Sequence, residues 1–290
     1  MQVYLNDSIV PSTEANISVF DHGFLYGDGI YETMRAYDGV VFSIDEHIRR
    51  LFRSASLIGL DIGKSPGGLK LAIYETMQAN HLKAAYIRMT VSRGAGAVGL
   101  DPALCKSPTV VIMALEFKDY PKAYYEEGLS LIISSVRRNL KEAVNPQIKS
   151  LNFLNNILAK IESIKAGVDE SLMLNAGGFI AEGTISNIFF VRDDILCTPS
   201  VECGILDGIT RNIVIDLASR SGITVNEGEF RPEELYAASE VFITNSTMEV
   251  MPVQMVDSKH FKVGEVSKVL LAEYRDGVRG YLREKKGESQ

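Results

Sequence analysis

Hydrophobic residues in the first part of the chain alternate with polar ones over short runs, which predicts β-strands. The predicted strands of this part are 2–5, 8–10, 29–37, 40–43, 84–92 and 109–116. The turn between the third and fourth of these strands is Asp38-Gly39, a pair favoured in two-residue hairpin loops. Apolar residues at helical spacing predict a helix from Asp45 to about Gly59.

The second part of the chain combines short apolar runs with longer helical patterns. Its predicted strands are 129–136, 171–174, 179–182, 187–192, 195–198 and 240–245. Helices are predicted over about 151–166, where Gly167 ends the pattern, over 210–221, and from about Val263 onward. The first of these helices is predicted to turn its apolar face inward, and that face comprises Leu154, Ile157, Leu158, Ile161 and Ile164.

A polar, proline-containing segment without periodicity interrupts these patterns at KDYPKAYYEEG. We expect the interdomain connection there, at 119–128, between an N-terminal α/β domain over 1–118 and a C-terminal domain over 129–290. The mixture of elements predicts an α+β protein of two domains, and a cleft between domains is a common place for a bound small molecule.

The composition narrows the classes of function. The 290 residues carry a formal net charge of −7, so we do not expect nucleic-acid binding. No apolar run is long enough for a membrane span, and the first residues lack the pattern of a secretory signal, which favours a cytoplasmic location. The three cysteines fit reduced thiols, and the four histidines show no metal-binding spacing, so no metal is expected.

Two charged residues lie where they could serve carbonyl chemistry. Lys149 precedes a predicted helix between apolar neighbours, and a lysine partly out of water is suited to Schiff-base formation. Glu182 ends a mostly apolar strand and could pair with a protonated ring nitrogen. Taken singly, a solvated lysine and a surface loop acid are the commoner cases.

Two further segments could bind a phosphate group. Leu206-Asp207-Gly208-Ile209-Thr210 opens a helix, whose free N–H groups attract anions, and Asn245-Ser246-Thr247 ends a strand with hydroxyl groups. Arg50 could add a charge-assisted hydrogen bond. Each segment is also a frequent structural cap.

The faces of two strands predict a pocket lined by aromatic and cationic side chains. Tyr31 and Arg35 share one face of their strand, as do Tyr86 and Arg88 of theirs, because successive side chains point to opposite sides. If the apolar sides pack on the core, these four side chains face either solvent or a cleft that binds a carboxylate. The loop SRGAGAVGLDP is long enough to gate such a cleft, or to be an ordinary connection.

Together these segments resemble the class IV aminotransferases, the fold-type IV pyridoxal phosphate enzymes. The resemblance spans nearly the whole chain, and the motifs follow the family's order. They are FDHGFLYGDGIYETMRAY, EHIRRL, YIR, SRGAGAVGLDP, IKSLNFLNNILAK, AEGTISNIF, ILDGITR and ITNSTMEVMPV. The resemblance implies a small N-terminal α/β domain, a larger C-terminal cofactor-binding domain with a mixed, barrel-like sheet, and a homodimer with the site at the domain boundary.

The resemblance also implies roles for particular residues. Lys149 matches the catalytic Schiff-base lysine and Glu182 the acid on the pyridine nitrogen of pyridoxal 5′-phosphate. The other positions that match cofactor-binding residues are Arg50, Leu206, Ile209, Thr210, Ser246 and Thr247. The positions that match the substrate pocket are Tyr31, Arg35, Tyr86 and Arg88.

Within the family, the branched-chain amino acid aminotransferases look nearest, which implies exchange of an amino group between branched-chain L-amino acids and 2-oxoglutarate. Phe153 stands where many members have a tyrosine, and Asn245-Ser246-Thr247 replaces a Gly-Thr-Ala segment. Aminodeoxychorismate lyase and D-amino acid aminotransferase are the alternatives within the family, although the Arg-x-His trap of the latter is absent. A cofactor-binding protein without turnover is the alternative outside enzymes.

Overall fold

The computed structural model describes residues 1–287 and divides into two compact units. The first unit contains Met1–Lys118, the short segment Ile148–Asn152 and the chain from Tyr281 to the end of the described residues. The second unit contains Asp119–Gln147 and Phe153–Gly280. Lys149 therefore lies in the first unit, although the residues around its segment belong to the second.

The first unit contains a six-stranded antiparallel sheet. In chain order its strands are β1 (Gln2–Leu5), β2 (Ser8–Pro11), β3 (Gly29–Tyr37), β4 (Val40–Val41), β5 (Ala85–Ser92) and β6 (Thr109–Glu116). Their order across the sheet is β2-β1-β6-β5-β3-β4. The helices of this unit are α1 (His22–Tyr26), α2 (Ile44–Leu57) and α3 (Pro66–Ala79).

Alternation along β3 and β5 gives this sheet one buried face. Ile30 and Met34 of β3 and Ile87 of β5 are fully buried, and α2 packs its Ile48 and Leu51 into the same core. The predicted strands and the first predicted helix are thus found within a few residues of their expected bounds. Helix α3 was not predicted from the sequence, because its first turn is Pro-Gly-Gly and glycine disfavours a helix. Its buried face includes Leu69, Ile73 and Met77, which recur at helical spacing.

The segment 148–152 extends the first unit by pairing with the start of β3. The amide of Tyr31 donates to the carbonyl of Lys149, and the amide of Leu151 donates to the carbonyl of Gly29, both at 2.9 Å. A Cβ on Gly29 would lie 2.7 Å from the Leu151 side chain and 2.6 Å from the carbonyl oxygen of Val91. Glycine at this position therefore permits the close approach of the segment to β3.

The second unit is built on a mixed sheet. Its strands are β7 (Leu129–Ile133), β8 (Glu170–Leu174), β9 (Ile180–Gly183), β10 (Asn187–Arg192), β11 (Ile195–Pro199), β12 (Val225–Gly228), β13 (Glu240–Asn245), β14 (Glu249–Val256) and β15 (Lys259–His260). Their order is β12-β11-β10-β13-β14-β7-β8-β9, with β15 on β14. The pairs β11–β12, β14–β7 and β7–β8 are parallel. The α+β class is confirmed.

Helices accompany this sheet. They are α4 (Lys122–Glu127), α5 (Leu154–Ala166), α6 (Ile209–Arg220), α7 (Pro232–Tyr236) and α8 (Glu265–Lys286). Helix α4 lies inside the segment that the sequence predicts as an aperiodic connection. Tyr120 and Tyr125, before and within α4, pack against the core of the second unit.

The orientation predicted for α5 is wrong. Its buried residues are the small Ala159 and Ser163, and Gly167 ends it in a left-handed conformation. The five large apolar residues, predicted to face inward, are exposed by 39–67%; they are Leu154, Ile157, Leu158, Ile161 and Ile164. Small side chains allow the helix to approach the sheet closely, so the apolar stripe points away from it.

Candidate active site

Backbone contacts fix Lys149 within the first unit. Its amide donates to the hydroxyl of Ser54 at 3.2 Å, and its carbonyl accepts from the amide of Tyr31. Ser54 is buried on α2, and Tyr31 is buried on β3. A helix and a strand of the same core therefore hold the main chain of the lysine at both ends, which is the support that a precisely placed reactive amine requires.

The ring of Tyr31 contacts two cations. The Nζ atom of Lys149 lies 4.5 Å from the ring centroid, and the guanidinium carbon of Arg88 lies 4.1 Å from it. Strand pairing places Thr33 of β3 opposite Arg88 and Arg35 opposite Tyr86, so these residues lie on one side of the sheet. Three predicted site residues thus meet at one aromatic ring, and the amine has a second positive group close by.

Arg35 is held differently from Arg88. Its guanidinium carbon lies 4.3 Å from the ring centroid of Tyr37 and 3.8 Å from that of Phe117. Such stacking leaves the edge of a guanidinium group able to form hydrogen bonds, while the rings fix its plane. Arg35 and Arg88 therefore supply two oriented cations on the same face of the sheet.

Arg50, predicted to bind phosphate, is part of a buried charge cluster on the other side of β3. Its Nε and Nη2 atoms donate to the two carboxylate oxygens of Glu32, each at 2.7 Å. The Nδ1 atom of His47 lies 2.7 Å from the same carboxylate. All three side chains are at most 6% exposed. The bidentate pair fixes the direction of the guanidinium group.

The cluster changes the protonation of its members. Burial alone raises the pKa of Glu32, but the charge and hydrogen bonds of Arg50, aided by His47, outweigh burial and lower that pKa to about 2. Burial lowers the pKa of His47 from its ordinary value, against the opposing pull of Glu32. Glu32 is therefore ionised and His47 is held towards its neutral form around neutral pH.

Glu182 lies in the second unit with two partners of its own. Its Oε1 atom accepts from Nε of Arg138 at 2.7 Å, and its Oε2 atom accepts from the amide of Leu206 at 2.9 Å. Arg138 is oriented in turn by Asn155, whose Oδ1 atom lies 3.0 Å from Nη1. The carboxylate is buried, and each oxygen has a second lone pair that can accept from a ring N–H.

The hydrogen bond to Leu206 ties Glu182 to the N-terminus of α6. Gly208 is the N-cap of that helix, and no side chain of the described residues caps it. A Cβ on Gly208 would lie 2.0 Å from Oδ1 of Asn187, so glycine is required there. Asn187 also donates to the carbonyl of Leu206 at 3.0 Å. The amides of Ile209 and Thr210 thus begin a helix whose preceding loop is held by Asn187, and such first-turn amides have no partner within the helix.

The turn between β13 and β14 carries the remaining predicted residues. Oδ1 of Asn245 accepts from the amide of Thr247 at 2.9 Å and from the amide of Met248 at 2.7 Å. Nδ2 of Asn245 donates to the carbonyl of Ile185, in the loop that follows Glu182. Within the part of the chain that the structure describes, the hydroxyl of Ser246 forms no hydrogen bond.

Each unit thus gathers its own share of the predicted residues. The first holds Lys149, Tyr31, Arg88, Arg35, Tyr86 and Arg50; the second holds Glu182, Leu206, Ile209, Thr210, Ser246 and Thr247. Sequence reasoning missed the side chains that orient them, namely Glu32, His47, Ser54, Arg138 and Asn187. The available signal was the charge of Glu32 on the strand face that otherwise carries the apolar Ile30, Met34 and Ala36.

The donor set of the second unit fits a phosphorylated pyridine. A buried carboxylate suits a ring N–H, while an uncapped helix N-terminus and a hydroxyl that has no hydrogen bond within the described residues each suit a phosphate. The glycine at the helix start keeps Cβ atoms away from that position. By itself, the first unit holds an amine at Lys149 and a buried cation at Arg50, the kinds of group that suit Schiff-base formation and phosphate pairing.

Comparison with known proteins identifies the family of the chain. The family model for amino-transferase class IV matches residues 29–256. The chain is 45% identical over 279 residues to the putative branched-chain-amino-acid aminotransferase of Methanocaldococcus jannaschii, covering 95% of this chain and 96% of that one. It is 32% identical over 289 residues to the aminodeoxychorismate lyase of Bacillus subtilis, covering 98% and 97%.

A solved structure gives the same result at the level of the fold. The branched-chain aminotransferase of Thermoproteus uzoniensis with norvaline matches with a TM-score of 0.91 and 36% identity, over 97% of this chain and 95% of that chain. The chain belongs to the class IV aminotransferases and is a pyridoxal phosphate-dependent aminotransferase. Its fold is the one found in branched-chain aminotransferases.

Two other kinds of feature are missing from the described residues. None of the helices within residues 1–287 has the length and apolar character needed to cross a bilayer. Over the same residues, no group of three or more His, Cys, Asp or Glu side chains is arranged to hold a metal ion.

Proposed function

We propose that this enzyme transfers the amino group of branched-chain L-amino acids to 2-oxoglutarate, and the reverse. The observation that carries the proposal is the pair of cations around Tyr31, where Arg88 lies within 4.1 Å and Lys149 Nζ within 4.5 Å of one ring. A guanidinium group on the same aromatic ring as the reactive amine suits a second carboxylate, such as the distal carboxylate of glutamate. The similarity to the Methanocaldococcus jannaschii protein supports the branched-chain donor.

The cofactor proposed is pyridoxal 5′-phosphate, which supplies the electron sink for bond breaking at the substrate Cα. Lys149 holds the cofactor covalently through Nζ. Glu182, whose carboxylate Arg138 orients, would accept the hydrogen bond of the pyridine N–H. Leu206 would pack on the ring of the bound cofactor.

The phosphate is bound by three groups of residues. The amides of Ile209 and Thr210 lie at the N-terminus of α6, Ser246 offers its hydroxyl, and Arg50 offers its charge. Thr247, next to Ser246, would contact the substrate carboxylate. Glu32 holds the Arg50 guanidinium in one orientation, so the cation is placed before the cofactor binds.

Lys149 also moves the proton. With pyridoxal 5′-phosphate and the amino-acid donor bound, the free Nζ of Lys149 would act as the base that accepts the proton of the substrate Cα and as the acid that gives it back. The contacts of its main chain with Ser54 and Tyr31 keep the released amine next to the reacting carbon. Tyr31 and Tyr86 line the space for the substrate side chain, and Arg88 with Arg35 binds the distal carboxylate of the dicarboxylic partner.

We propose that the enzyme is a homodimer. Each unit exposes large apolar side chains that water disfavours. In the second unit they include the stripe of α5. In the first unit they include Ile17, Val19, Phe20, Phe24, Leu25, Val98 and Leu100. A second copy of the chain would cover these surfaces, as obligate interfaces are apolar.

The free thiols of Cys105, Cys197 and Cys203 fit a cytoplasmic location.

A lyase that releases pyruvate from aminodeoxychorismate is the second candidate, because the Bacillus subtilis lyase is 32% identical over nearly the full length of both chains. The test is an absorbance titration of the cofactor-loaded protein with L-leucine, D-alanine and aminodeoxychorismate in turn. Loss of the cofactor band with L-leucine alone, restored by 2-oxoglutarate, is the expected result. Pyruvate release from aminodeoxychorismate without a keto-acid acceptor would assign the lyase, and a response to D-alanine would assign the opposite enantiomer.

A further inference from the structure

An ion pair on the second unit holds the turn that carries Ser246 and Thr247. Nε of Arg275, on α8, donates to Oε2 of Glu249 at 2.7 Å. Glu249 is 3% exposed, whereas the Arg275 side chain is 43% exposed. The arginine therefore reaches from the surface to a buried carboxylate that directly follows the turn.

The backbone of Glu249 lies in a conformation that its residue type disfavours. Its φ is +61°, in the left-handed region that glycine and asparagine tolerate best. Such a conformation persists only where the surroundings fix it, and it is concentrated at ligand-binding turns. The side-chain contact with Arg275 is one of the interactions that fix it here.

Aromatic residues near α4 hold the same turn from a second direction. The guanidinium carbon of Arg275 lies 4.8 Å from the ring centroid of Tyr125, whose hydroxyl donates to the carbonyl of Met248 at 3.3 Å. The hydroxyls of Tyr120 and Thr247 share a hydrogen bond of 3.3 Å. The residues after Ser246 are thus each held by a side chain from outside the hairpin.

We propose that Arg275 is a positioning residue that sets the affinity of the Ser246-Thr247 turn for the phosphate of the cofactor without touching it. The Asn245 side chain fixes the turn from within, and Arg275 fixes it from without through Glu249 and Tyr125. Ser246 is left to present its hydroxyl and amide in one direction. A preorganised anion site binds more tightly than a mobile one, because no free energy of binding is lost in ordering the turn. This inference rests on the proposed role of Ser246.

The test compares two ligands that differ only in the phosphate. Apo-enzyme carrying Arg275→Met is titrated with pyridoxal 5′-phosphate and with pyridoxal, and binding is followed by absorbance. We expect the affinity for pyridoxal 5′-phosphate to fall about tenfold, the size of losing a hydrogen bond to a charged group, while the affinity for pyridoxal is unchanged. An equal fall for both ligands, or no fall for either, would overturn the proposal.

Two further variants make the result independent of general stability. Arg279→Met lies one helical turn beyond Arg275, on an exposed side chain that pairs with Asp276, and should leave both affinities at the wild-type value. Tyr125→Phe keeps the ring beside Arg275 but removes its bond to Met248, and should lower only the affinity for the phosphorylated ligand. A Tyr125→Phe protein that binds both ligands like wild type would contradict the proposal even if Arg275→Met does not fold.

A double-mutant cycle tests the route through Glu249. If Arg275 acts through that carboxylate, Glu249→Gln combined with Arg275→Met lowers the affinity no further than Arg275→Met alone. Additive losses would show that Arg275 acts on the phosphate by another path. Wild-type protein that binds neither ligand would refute the proposed function itself, which is a different outcome from an unchanged Arg275 variant.

Discussion

The amide of Tyr31 donates a 2.9 Å hydrogen bond to the carbonyl of Lys149, and the ring of the same tyrosine lies 4.5 Å from the Nζ atom of that lysine. One residue of β3 thus touches the main chain and the reactive end of the lysine together. The amide of Lys149 is bound in turn by Ser54. Placement of the amine is therefore a property of the first unit's core and not of a mobile loop.

Removing the Ser54 hydroxyl should weaken that placement. Ser54→Ala leaves the amide of Lys149 without its partner, which costs about 1 kcal/mol of stability for a partly buried donor. We expect kcat to fall several-fold, on the order of 1 kcal/mol in transition-state stabilisation, with a smaller change in KM. Ser56→Ala, at an exposed position of the same helix, is the matched control and should change neither kinetic constant. Equal kinetics for the two variants would count against the role of Ser54.

The buried Glu32 should make stability depend on acidity. Because its folded pKa of about 2 is below its ordinary value of 4.5, its contribution is complete above pH 4.5 and is lost as the pH falls towards 2. The full shift corresponds to roughly 3 kcal/mol. The lowered pKa of His47 acts in the same direction, since a neutral buried histidine loses stability as the pH falls below 6.5. Urea unfolding followed from pH 7 to pH 2 should show the loss from His47 below pH 6.5 and the loss from Glu32 below pH 4.5.

Glu32→Gln should separate the contribution of Glu32 to the pH dependence of stability from that of His47. The variant leaves Arg50 buried beside a neutral amide, so we expect it to lose about 3 kcal/mol of unfolding free energy at pH 7. Below pH 4.5 its stability should fall less steeply than that of the wild type. The control is Glu46→Gln. It removes a carboxylate that forms an exposed ion pair with Arg49, on the helix α2 that also carries Arg50. A Glu32→Gln protein as stable as Glu46→Gln at pH 7 would refute the importance of the cluster.

Glu182→Gln tests the partner of the ring nitrogen. The amide keeps the shape of the side chain but gives up the charge that Arg138 and the cofactor both use. We expect turnover to fall on the order of 100-fold, and the absorbance of the bound cofactor to shift because its ring nitrogen loses its proton. Glu202→Gln, at an exposed carboxylate paired with Lys141, should leave both readouts unchanged. Normal turnover in Glu182→Gln would remove this residue from the catalytic set.

The exposed stripe of α5 predicts the assembly state. Ile161→Glu places a charge on a surface that a second copy would bury, and an unpaired buried charge costs several kcal/mol. We expect a dimer for the wild type and a monomer for the variant in analytical ultracentrifugation. Arg220→Glu, on the exposed side of α6, should remain a dimer. A monomeric wild type would refute the dimer, and a dimeric Ile161→Glu would show that α5 lies outside the interface.

The sequence predicts what depends on near neighbours along the chain. The helix that opens at Gly208, the strand that ends at Glu182 and the turn after Asn245 each have local signals, and the structure contains all three. The apolar period of α5 also predicts a helix correctly. The period identifies an apolar face but cannot show what covers it, so the inward orientation was wrong.

Contacts between distant residues could not be predicted in this way. Glu32 meets Arg50 because α2 packs on β3, and Glu182 meets Arg138 because segments distant in sequence meet at one sheet. Pairing of that kind depends on tertiary packing and leaves no periodic pattern. The supporting side chains of the site therefore emerge only from the folded structure, whereas the residues proposed to touch the cofactor are recognisable from motifs.

The most direct test of the account is to locate the covalent attachment of the cofactor. The protein is loaded with pyridoxal 5′-phosphate, reduced with borohydride and digested, and the modified peptide is identified by mass spectrometry. We expect the phosphopyridoxyl group on Lys149, and its absence from a Lys149→Ala protein that folds like the wild type. Stoichiometric modification of a different lysine, or full aminotransferase turnover by Lys149→Ala, would contradict the central claim.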